Sequence, residues 1–317
     1  MLQQQKPPVL QAPPPATTVP VQPAQAPAAA SGGTSVLIQS VRIRGNTLYS
    51  EATLLGVLGD VGGKSYDLAD LRALTDRLAD FYHQAGYPFA IAYLPPQTVE
   101  GGNLEIDVVE GRYGKVEASG DPALARGAQP FLGALKPGDP ITNKPLERAT
   151  LLLNDQPGID ISPVIRPGQE VGTGDLDVLV QYSDRIDGDA GIDNYGNRYI
   201  GQYQTHVDLD LNSPFRFGDQ ITAHALVTNQ GMWFGSLGYN LPLGADGWRG
   251  IASYAHTYYE LGGNFSSLNA NGTADVSSLG ASYAVIRSQK DDLGINGLYQ
   301  HKSLHDKLDT LKFESTK

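Results

Sequence analysis

Residues 186–302 alternate apolar and polar side chains in about seven short runs, which are separated by turns rich in Gly, Asn and Asp. The clearest run is 203–212, where Tyr203, Val207 and Leu209 fall on one side. Successive side chains of a strand point to opposite faces, so each run has one apolar face and one polar face. Hairpins of about ten-residue strands with this alternation are typical of a transmembrane β-barrel.

The two sides of these runs predict two environments. We expect the polar side to face a wet lumen, at Gln204, His206, Asp208, Asp210, Thr222 and His224. We expect the other side to face lipid, at Ile221, Ala223, Ala225, Val227, Trp233, Leu237, Tyr239, Leu241, Leu279, Ala281, Tyr283 and Val285. The run at 251–259 alternates poorly, so its faces stay unassigned. A soluble antiparallel β-sandwich also has alternating strands and is the alternative architecture.

Composition excludes several classes of protein. The net charge of −11 argues against nucleic-acid binding, because phosphates are engaged by basic patches. The absence of cysteine excludes disulfides, thiolate metal sites and cysteine catalysis. No apolar run reaches about 18 residues, so no transmembrane helix is expected. Residues 1–35 are rich in Pro, Ala and Gln and predict a disordered linker.

Residues 36–112 predict a first α+β unit with the element order β-α-α-β-β. The longer of its two helices begins after Asp67, which is a favourable N-cap, and carries leucines at three- and four-residue steps. Gly86 is well placed to end that helix in a left-handed conformation. Two strands follow, at 89–94 and 104–109.

Residues 113–185 predict a second unit of the same kind. A strand at 114–119 precedes a helix at 123–132, and a second helix begins near Asn143. A hairpin within 161–182 closes the unit. The two units therefore repeat one architecture at a spacing of about 75 residues.

Short motifs lie along these elements in the order of a known family. They comprise Gly45-Asn46, Gly86-Tyr87, Pro95-x-Gln97, Glu110-Gly111, Asp193-Asn194-x-Gly196 and Gly218-Asp219. With them the chain resembles the two-partner secretion transporters of the outer membrane, which secrete haemolysins and filamentous haemagglutinins. Each α+β unit resembles a polypeptide-transport-associated (POTRA) domain of these transporters, and the first strands of the alternating array resemble the start of their barrel.

The resemblance implies two α+β POTRA domains, at 36–112 and 113–185, followed by an antiparallel transmembrane β-barrel. Barrels of this family have about sixteen strands, whereas 186–317 supplies about seven, so we expect an incomplete barrel in a truncated chain. The family also begins with a helix that plugs the pore. Most of such a helix is not expected within 1–35, because that segment is rich in proline.

The resemblance also implies function, partners and localisation. The POTRA domains recognise an unfolded exoprotein in the periplasm, and the barrel secretes it across the outer membrane of a Gram-negative cell. The expected partners are this exoprotein and outer-membrane lipid, with no nucleic acid, nucleotide or enzyme activity. An outer-membrane assembly insertase and a fused autotransporter of the same superfamily are alternatives. A soluble β-sandwich adhesin is an alternative of another class.

The free edge of a POTRA sheet is the expected binding site for the exoprotein. An unfolded polypeptide adds to such an edge as an extra strand, and its alternate side chains supply selectivity. Within the first unit we expect this edge on the strand at 89–94, at Phe89, Ile91 and Tyr93. The alternative is that these three residues belong to the core.

Metal binding and catalysis are not expected. His206, His224 and His256 fall on different runs with no carboxylate at a fixed spacing, so we interpret them as polar residues of the barrel wall. Four aspartates lack the spacing of a calcium-binding loop and predict a solvated turn, at Asp184, Asp187, Asp189 and Asp193. No nucleophile elbow or paired-carboxylate motif is present, and we expect no cofactor.

Overall fold

The structure is a computed structural model that describes residues 35–308 and 313–316. The expected linker at 1–35 lies outside the described residues, apart from Ser35. Of the helices that the structure describes, none combines the length and apolarity needed to span a bilayer.

The first unit has the expected order with two additional short strands. Its elements are β1 (Val36–Ile38), β2 (Ser40–Arg44), α1 (Glu51–Leu58), β3 (Lys64–Tyr66), α2 (Leu68–Gln84), β4 (Ile91–Tyr93) and β5 (Asn103–Val109). The main sheet has the order β2-β5-β4, in which β5 is parallel to β2 and antiparallel to β4. The strand expected at 36–44 is divided, because β1 pairs with β3 in a separate two-stranded sheet.

Helix α2 packs on this sheet as its leucine spacing predicts. Leu71, Leu74 and Leu78 are buried in the core of the first unit, with the strand residues around them. Asp67 accepts a hydrogen bond from the Asp70 backbone N–H, and the Asp70 side chain accepts one from the Asp67 N–H. This capping box satisfies amides that the helix leaves unpaired at its start. Gly86 follows the helix with a φ of 94°, as expected.

The second unit repeats the sheet order of the first. Its elements are β6 (Arg112–Gly120), α3 (Pro122–Ala128), α4 (Asn143–Asn154), β7 (Ile159–Pro167) and β8 (Thr173–Tyr182). The sheet order is β6-β8-β7, with β8 parallel to β6 and antiparallel to β7. The helix expected at 123–132 is divided into α3 and a 3₁₀ turn at Gln129–Leu132. Pro130 explains the division, since it has no N–H for an α-helical bond.

The remaining described strands form one antiparallel sheet in which each strand pairs with its neighbours in sequence. They are β9 (Ile186–Asp193), β10 (Gln204–Asn212), β11 (Gln220–Thr228), β12 (Trp233–Pro242), β13 (Trp248–Glu260), β14 (Ala270–Arg287), β15 (Asp292–Leu308) and β16 (Phe313–Thr316). The order runs from β16 to β9, so these two strands lie at opposite edges of the open sheet. Eight strands replace the expected seven because β16 lies beyond residue 302. This arrangement excludes the β-sandwich for the residues described.

The register gives this sheet a polar face and an apolar face. Asp208 lies opposite His224, and the polar face continues through the other residues expected in the lumen: Gln204, His206, Asp210 and Thr222. On the apolar face Val207 lies opposite Ala225, which lies opposite Gly235. Apolar side chains stay exposed there, with Leu237 at 58% and Leu279 at 65%.

The register also assigns the faces of β13 and corrects two expectations. Gly235 of the apolar face lies opposite His256, so His256 belongs to the apolar face and not to the polar wall. The Trp233 ring packs against His256 at 4.8 Å between centroids, and this contact holds the imidazole there. Val285 does not continue the alternation of β14, because the register shifts between Ala284 and Ile286.

Candidate functional site

Strand β4 forms a free, apolar edge of the first unit. It pairs with β5 on one side, and the structure shows no described strand on its other side. Ile91 and Tyr93 are 54% and 42% exposed, whereas Ala90 is buried in the core. The core alternative is therefore wrong for Ile91 and Tyr93. Their exposure beside an unpaired backbone provides the two elements that strand addition needs.

Phe89 is not part of this edge, so the strand expected at 89–94 is too long. Phe89 lies in the turn before β4, is half-buried, and packs against the core of the second unit. The turn that follows α2 delays the start of β4 to Ile91. The aromatic ring thus connects the two units.

The side chain of Gln97 covers the next part of the same edge. Its Nε2 donates to Glu105 O at 2.7 Å, and its Oε1 accepts from Glu105 N at 2.8 Å. This amide occupies backbone groups of β5 that β4 does not reach. The motif residue Gln97 therefore ends the open edge on this side of the sheet.

A buried carboxylate organises the end of the first unit. Glu110 accepts hydrogen bonds at 2.7 Å from the backbone N–H groups of Thr47 and Leu48, and one at 3.1 Å from the Tyr82 hydroxyl. Burial raises the pKa of the Glu110 carboxyl, but these bonds and that of the Thr47 hydroxyl outweigh burial and hold its pKa below the ordinary value. Burial, followed by the Glu110 charge, raises the pKa of Tyr82, which keeps that hydroxyl a donor.

The motif at Gly45-Asn46 shapes the loop that meets this carboxylate. A Cβ on Gly45 would lie 2.2 Å from the carbonyl oxygen of Val108, and the φ of Gly45 is 79°. Only glycine suits both conditions. Asn46 Nδ2 donates to Tyr49 O at 2.9 Å, which closes the loop. Tyr87 stacks edge-on against Tyr49, at 6.2 Å between centroids.

Arg112 joins the first unit to the second. Its Nη1 donates to Gly138 O at 2.8 Å in the second unit, and its Nη2 donates to Thr47 Oγ1 at 2.6 Å in the first. A backbone bond from Asn143 N to Gly86 O, at 3.0 Å, adds a further link. The motif residue Gly111 lies between the carboxylate and this arginine, with a φ of 67°.

Helix α4 of the second unit is docked on β14 by two arginines. Arg287 Nε and Nη2 donate to the two oxygens of Asp155 at 2.7 and 2.8 Å, a bidentate pair at the helix C-terminus. Arg148 Nη2 donates to Ala284 O at 2.7 Å. Planar, paired contacts of this kind fix orientation as well as distance.

The β10–β11 turn provides a further contact with the second unit. Phe217 packs against Phe131 at 5.9 Å between ring centroids. Arg249 donates to Gln156 Oε1 at 2.8 Å and to Gly218 O at 2.9 Å, so it ties the turn to the end of α4. The second unit and the turns at this end of the sheet therefore form one packed body.

The motif residues of the sheet lie in its turns, except Asp193, which is the last residue of β9. Asp219 is buried, and its Oδ2 accepts from the Tyr239 hydroxyl at 2.7 Å. At the opposite end of the strands, Asp193 Oδ1 accepts from Tyr195 N at 2.9 Å, and Asn194 and Gly196 continue that turn. These residues shape the ends of the strands, and their family role stays a prediction.

Comparison with known proteins places these features in one family. Residues 36–111 match the model of the POTRA domain, ShlB-type. Residues 172–317 match the model of the haemolysin secretion/activation protein ShlB/FhaC/HecB. The chain is thus similar to the ShlB-type POTRA domain over its first unit and to the ShlB/FhaC/HecB proteins over its sheet.

Individual relatives agree with this assignment. The heme/hemopexin transporter protein HuxB of Haemophilus influenzae is 29% identical over 265 residues, which are 80% of this chain and 45% of HuxB. The hemolysin transporter protein ShlB of Serratia marcescens is 26% identical over 300 residues, which are 91% of this chain and 52% of ShlB. The chain thus spans about half the length of the curated relatives it matches.

A solved structure shows the same fold. CdiB from Escherichia coli superposes with a TM-score of 0.68 at 22% identity, over 94% of this chain and 57% of CdiB. The expected resemblance to two-partner secretion transporters and the expected fold class are confirmed. The outer membrane transporter CdiB of Escherichia coli is among the relatives, and the expected outer-membrane localisation is confirmed. The domain boundaries expected at 112 and 185 stay predictions.

The polar face brings together residues that the sequence did not connect. Asp187, Asp189 and Asp193 lie on strand β9 and not in a solvated turn, so that expectation is wrong. His206 lies 3.4 Å from Asp189 and 3.8 Å from Asp193 through its ring nitrogens. The histidines have no carboxylate at a fixed spacing in the sequence, but in the structure carboxylates from neighbouring strands lie beside them. Only the strand register reveals such pairs.

Proposed function

We propose that this chain is the periplasmic and first barrel portion of a transporter that secretes an unfolded exoprotein across the outer membrane. One observation carries the proposal. A POTRA unit with a free apolar edge is joined, through a second unit, to the turns of a two-faced antiparallel sheet. The activity of relatives such as the hemolysin transporter ShlB supports the proposal without identifying the exoprotein of this chain.

Recognition at β4 follows from the geometry of strand addition. The exoprotein backbone pairs with the free side of β4, and its alternate side chains contact Ile91 and Tyr93. Gln97 limits how many residues of the exoprotein pair with this edge, because its amide already bonds the backbone N–H and C=O of Glu105. We expect weak, sequence-tolerant binding, which suits a segment that must be released into the pore.

The sheet supplies the wall of the pore. In the closed barrel, the polar face lines the lumen and the apolar face contacts outer-membrane lipid. The family is a transporter family, and we further propose that this protein has no enzyme activity. Neither a nucleotide nor a cofactor is part of the proposed mechanism.

The edge is tested with substitutions that leave the fold of the first unit in place. In the full transporter, the double variant Ile91→Asp, Tyr93→Asp places charges on the free edge and should lower secretion at least tenfold, since charged edges oppose strand addition. Val171→Asp is the matched control, because Val171 is 95% exposed but lies in the β7–β8 turn. Unchanged secretion by the double variant would overturn the role of β4.

Deletion of residues 36–112 separates secretion from barrel insertion. Secretion should be lost while the barrel still shows heat-modifiable gel mobility. If the protein were instead an insertase of the same superfamily, the deletion of residues 36–112 would lower the levels of unrelated outer-membrane proteins. Continued secretion after the deletion would refute the proposed function.

A further inference from the structure

Two pairs of carboxylates face each other across β9 and β10. Asp189 lies directly opposite Asp208, and Asp187 lies directly opposite Asp210, all four on the polar face. Like charges that are directly opposed in a sheet destabilise it. Asp210 Oδ1 is also buried and has no hydrogen-bond partner among the described residues. The polar face of β9 and β10 therefore carries negative charge that the neighbouring side chains do not fully neutralise.

An imidazole lies among these carboxylates. One ligand atom from each of Asp189, His206 and Asp208 falls within 4.8 Å of the others. His206 Nε2 is 3.4 Å from Asp189 Oδ2. Two ligands on a tetrahedral zinc ion, each bonded at 2.0–2.2 Å, are about 3.4 Å apart. The imidazole and the first carboxylate thus have the spacing of two ligands of one ion.

The backbone leaves space for this imidazole. His206 lies opposite Gly191, and a Cβ at that position would lie 2.6 Å from His206 Cε1. Any side chain at Gly191 would therefore displace the ring from Asp189. Glycine here permits the ring to lie across β9, in reach of carboxylates from both strands.

Further side chains orient the three ligands. His206 Nδ1 lies 3.8 Å from Asp193 Oδ2, so a further carboxylate lies beside the other nitrogen of the ring. His224 Nδ1 hydrogen-bonds Asp208 Oδ1, so that carboxylate is also held in place. Partners of this kind orient the ligands of metal sites.

We propose that Asp189, His206 and Asp208 bind a divalent transition-metal ion of the zinc class. One imidazole and two carboxylates suit zinc, whereas calcium and magnesium take oxygen ligands. The ion neutralises the opposed carboxylates and links edge strand β9 to β10. Three protein ligands leave a fourth position open to water on the polar face.

Zinc binding by the purified, tag-free chain in detergent tests this proposal. Isothermal titration with Zn²⁺ should give one equivalent per chain, and Ca²⁺ should bind at least tenfold more weakly. His206→Gln and Asp189→Asn should each weaken zinc binding at least tenfold. His256→Gln is the matched control. His256 also contacts a carboxylate, Asp275, at 2.7 Å, but on the apolar face and outside the group formed by Asp189, His206 and Asp208.

The outcomes separate a site from ordinary ion pairs. Wild type that binds zinc no better than His206→Gln overturns the proposal, and so does an equal loss in His256→Gln. Circular dichroism checks that each variant keeps its strand content, and Asp208→Asn replaces any variant that does not. Cobalt(II) gives a second readout, since its visible absorption should appear in wild type and in His256→Gln only. Secretion is not measured, so the result is independent of the proposed function.

Discussion

The two α+β units share one strand order but differ in what surrounds them. The first has an edge strand of three residues with exposed Ile91 and Tyr93. Its carboxylate Glu110 is satisfied by the Thr47–Leu48 loop, by Tyr82 of α2 and by Arg112. The second contacts the sheet through Arg287, Arg249 and Phe217. In both units the strand that follows the second helix, β4 or β7, is a free edge of its sheet. The second unit in addition holds the assembly on the sheet.

This difference predicts where each unit is sensitive. The first depends on an internal network, so a single substitution there should loosen that unit and leave the second intact. The second depends on contacts with another part of the chain, so substitutions at its interface should release it without unfolding its core. Hydrogen exchange of the whole chain resolves the two units separately.

The largest effect is expected from Glu110→Ala. The substitution leaves two backbone N–H groups and the Tyr82 hydroxyl without an acceptor in a buried place, which should cost about 3 kcal/mol. Amide exchange in α2 should accelerate accordingly, while exchange in α4 stays unchanged. Equal acceleration in both helices would show that the two units unfold together and would contradict the comparison.

Release of the second unit is tested by Arg287→Ala. The variant loses both hydrogen bonds to Asp155, a partly buried pair, and should destabilise the interface by about 2 kcal/mol. Faster proteolysis near the β14–β15 turn measures the release. Arg166→Ala is the control, since its pair with Asp177 is exposed and should contribute less than about 1 kcal/mol. Equal effects in the two variants would argue against a specific interface.

A pH titration sharpens the role of Glu110. Its pKa is lower in the folded chain than its ordinary value of 4.5, so its contribution to stability is complete above about pH 4.5. That contribution is lost as the pH falls through the lower, folded-state pKa. Exchange in α2 should therefore accelerate more in wild type than in Glu110→Gln as the pH falls below 4.5. Parallel acid profiles of the two proteins would disprove the carboxylate's role.

The sequence predicts local structure better than contacts between elements. The caps at Asp67 and Gly86 and the alternation of β10 follow from short-range rules, and the structure agrees. The sequence pattern predicts a strand at Phe89, although Pro88 directly before it is itself a signal of the turn that includes both residues. The His206–Asp189 contact depends on register between strands, and β-strand alternation alone does not fix register.

The smallest effects are expected from substitutions at the N-caps of the two long helices, α2 and α4. Asp67 caps α2 through a reciprocal capping box, so Asp67→Ala should cost about 1 kcal/mol. Thr142 precedes α4 but its side chain makes no capping hydrogen bond, so Thr142→Ala should change stability by less than about 0.5 kcal/mol. Exchange of the first-turn amides measures both. Helix α2 is thus stabilised by a cap inside the first unit, whereas α4 is held at its C-terminus by Arg287 of the sheet. A larger effect of Thr142→Ala than of Asp67→Ala would contradict this difference between the units.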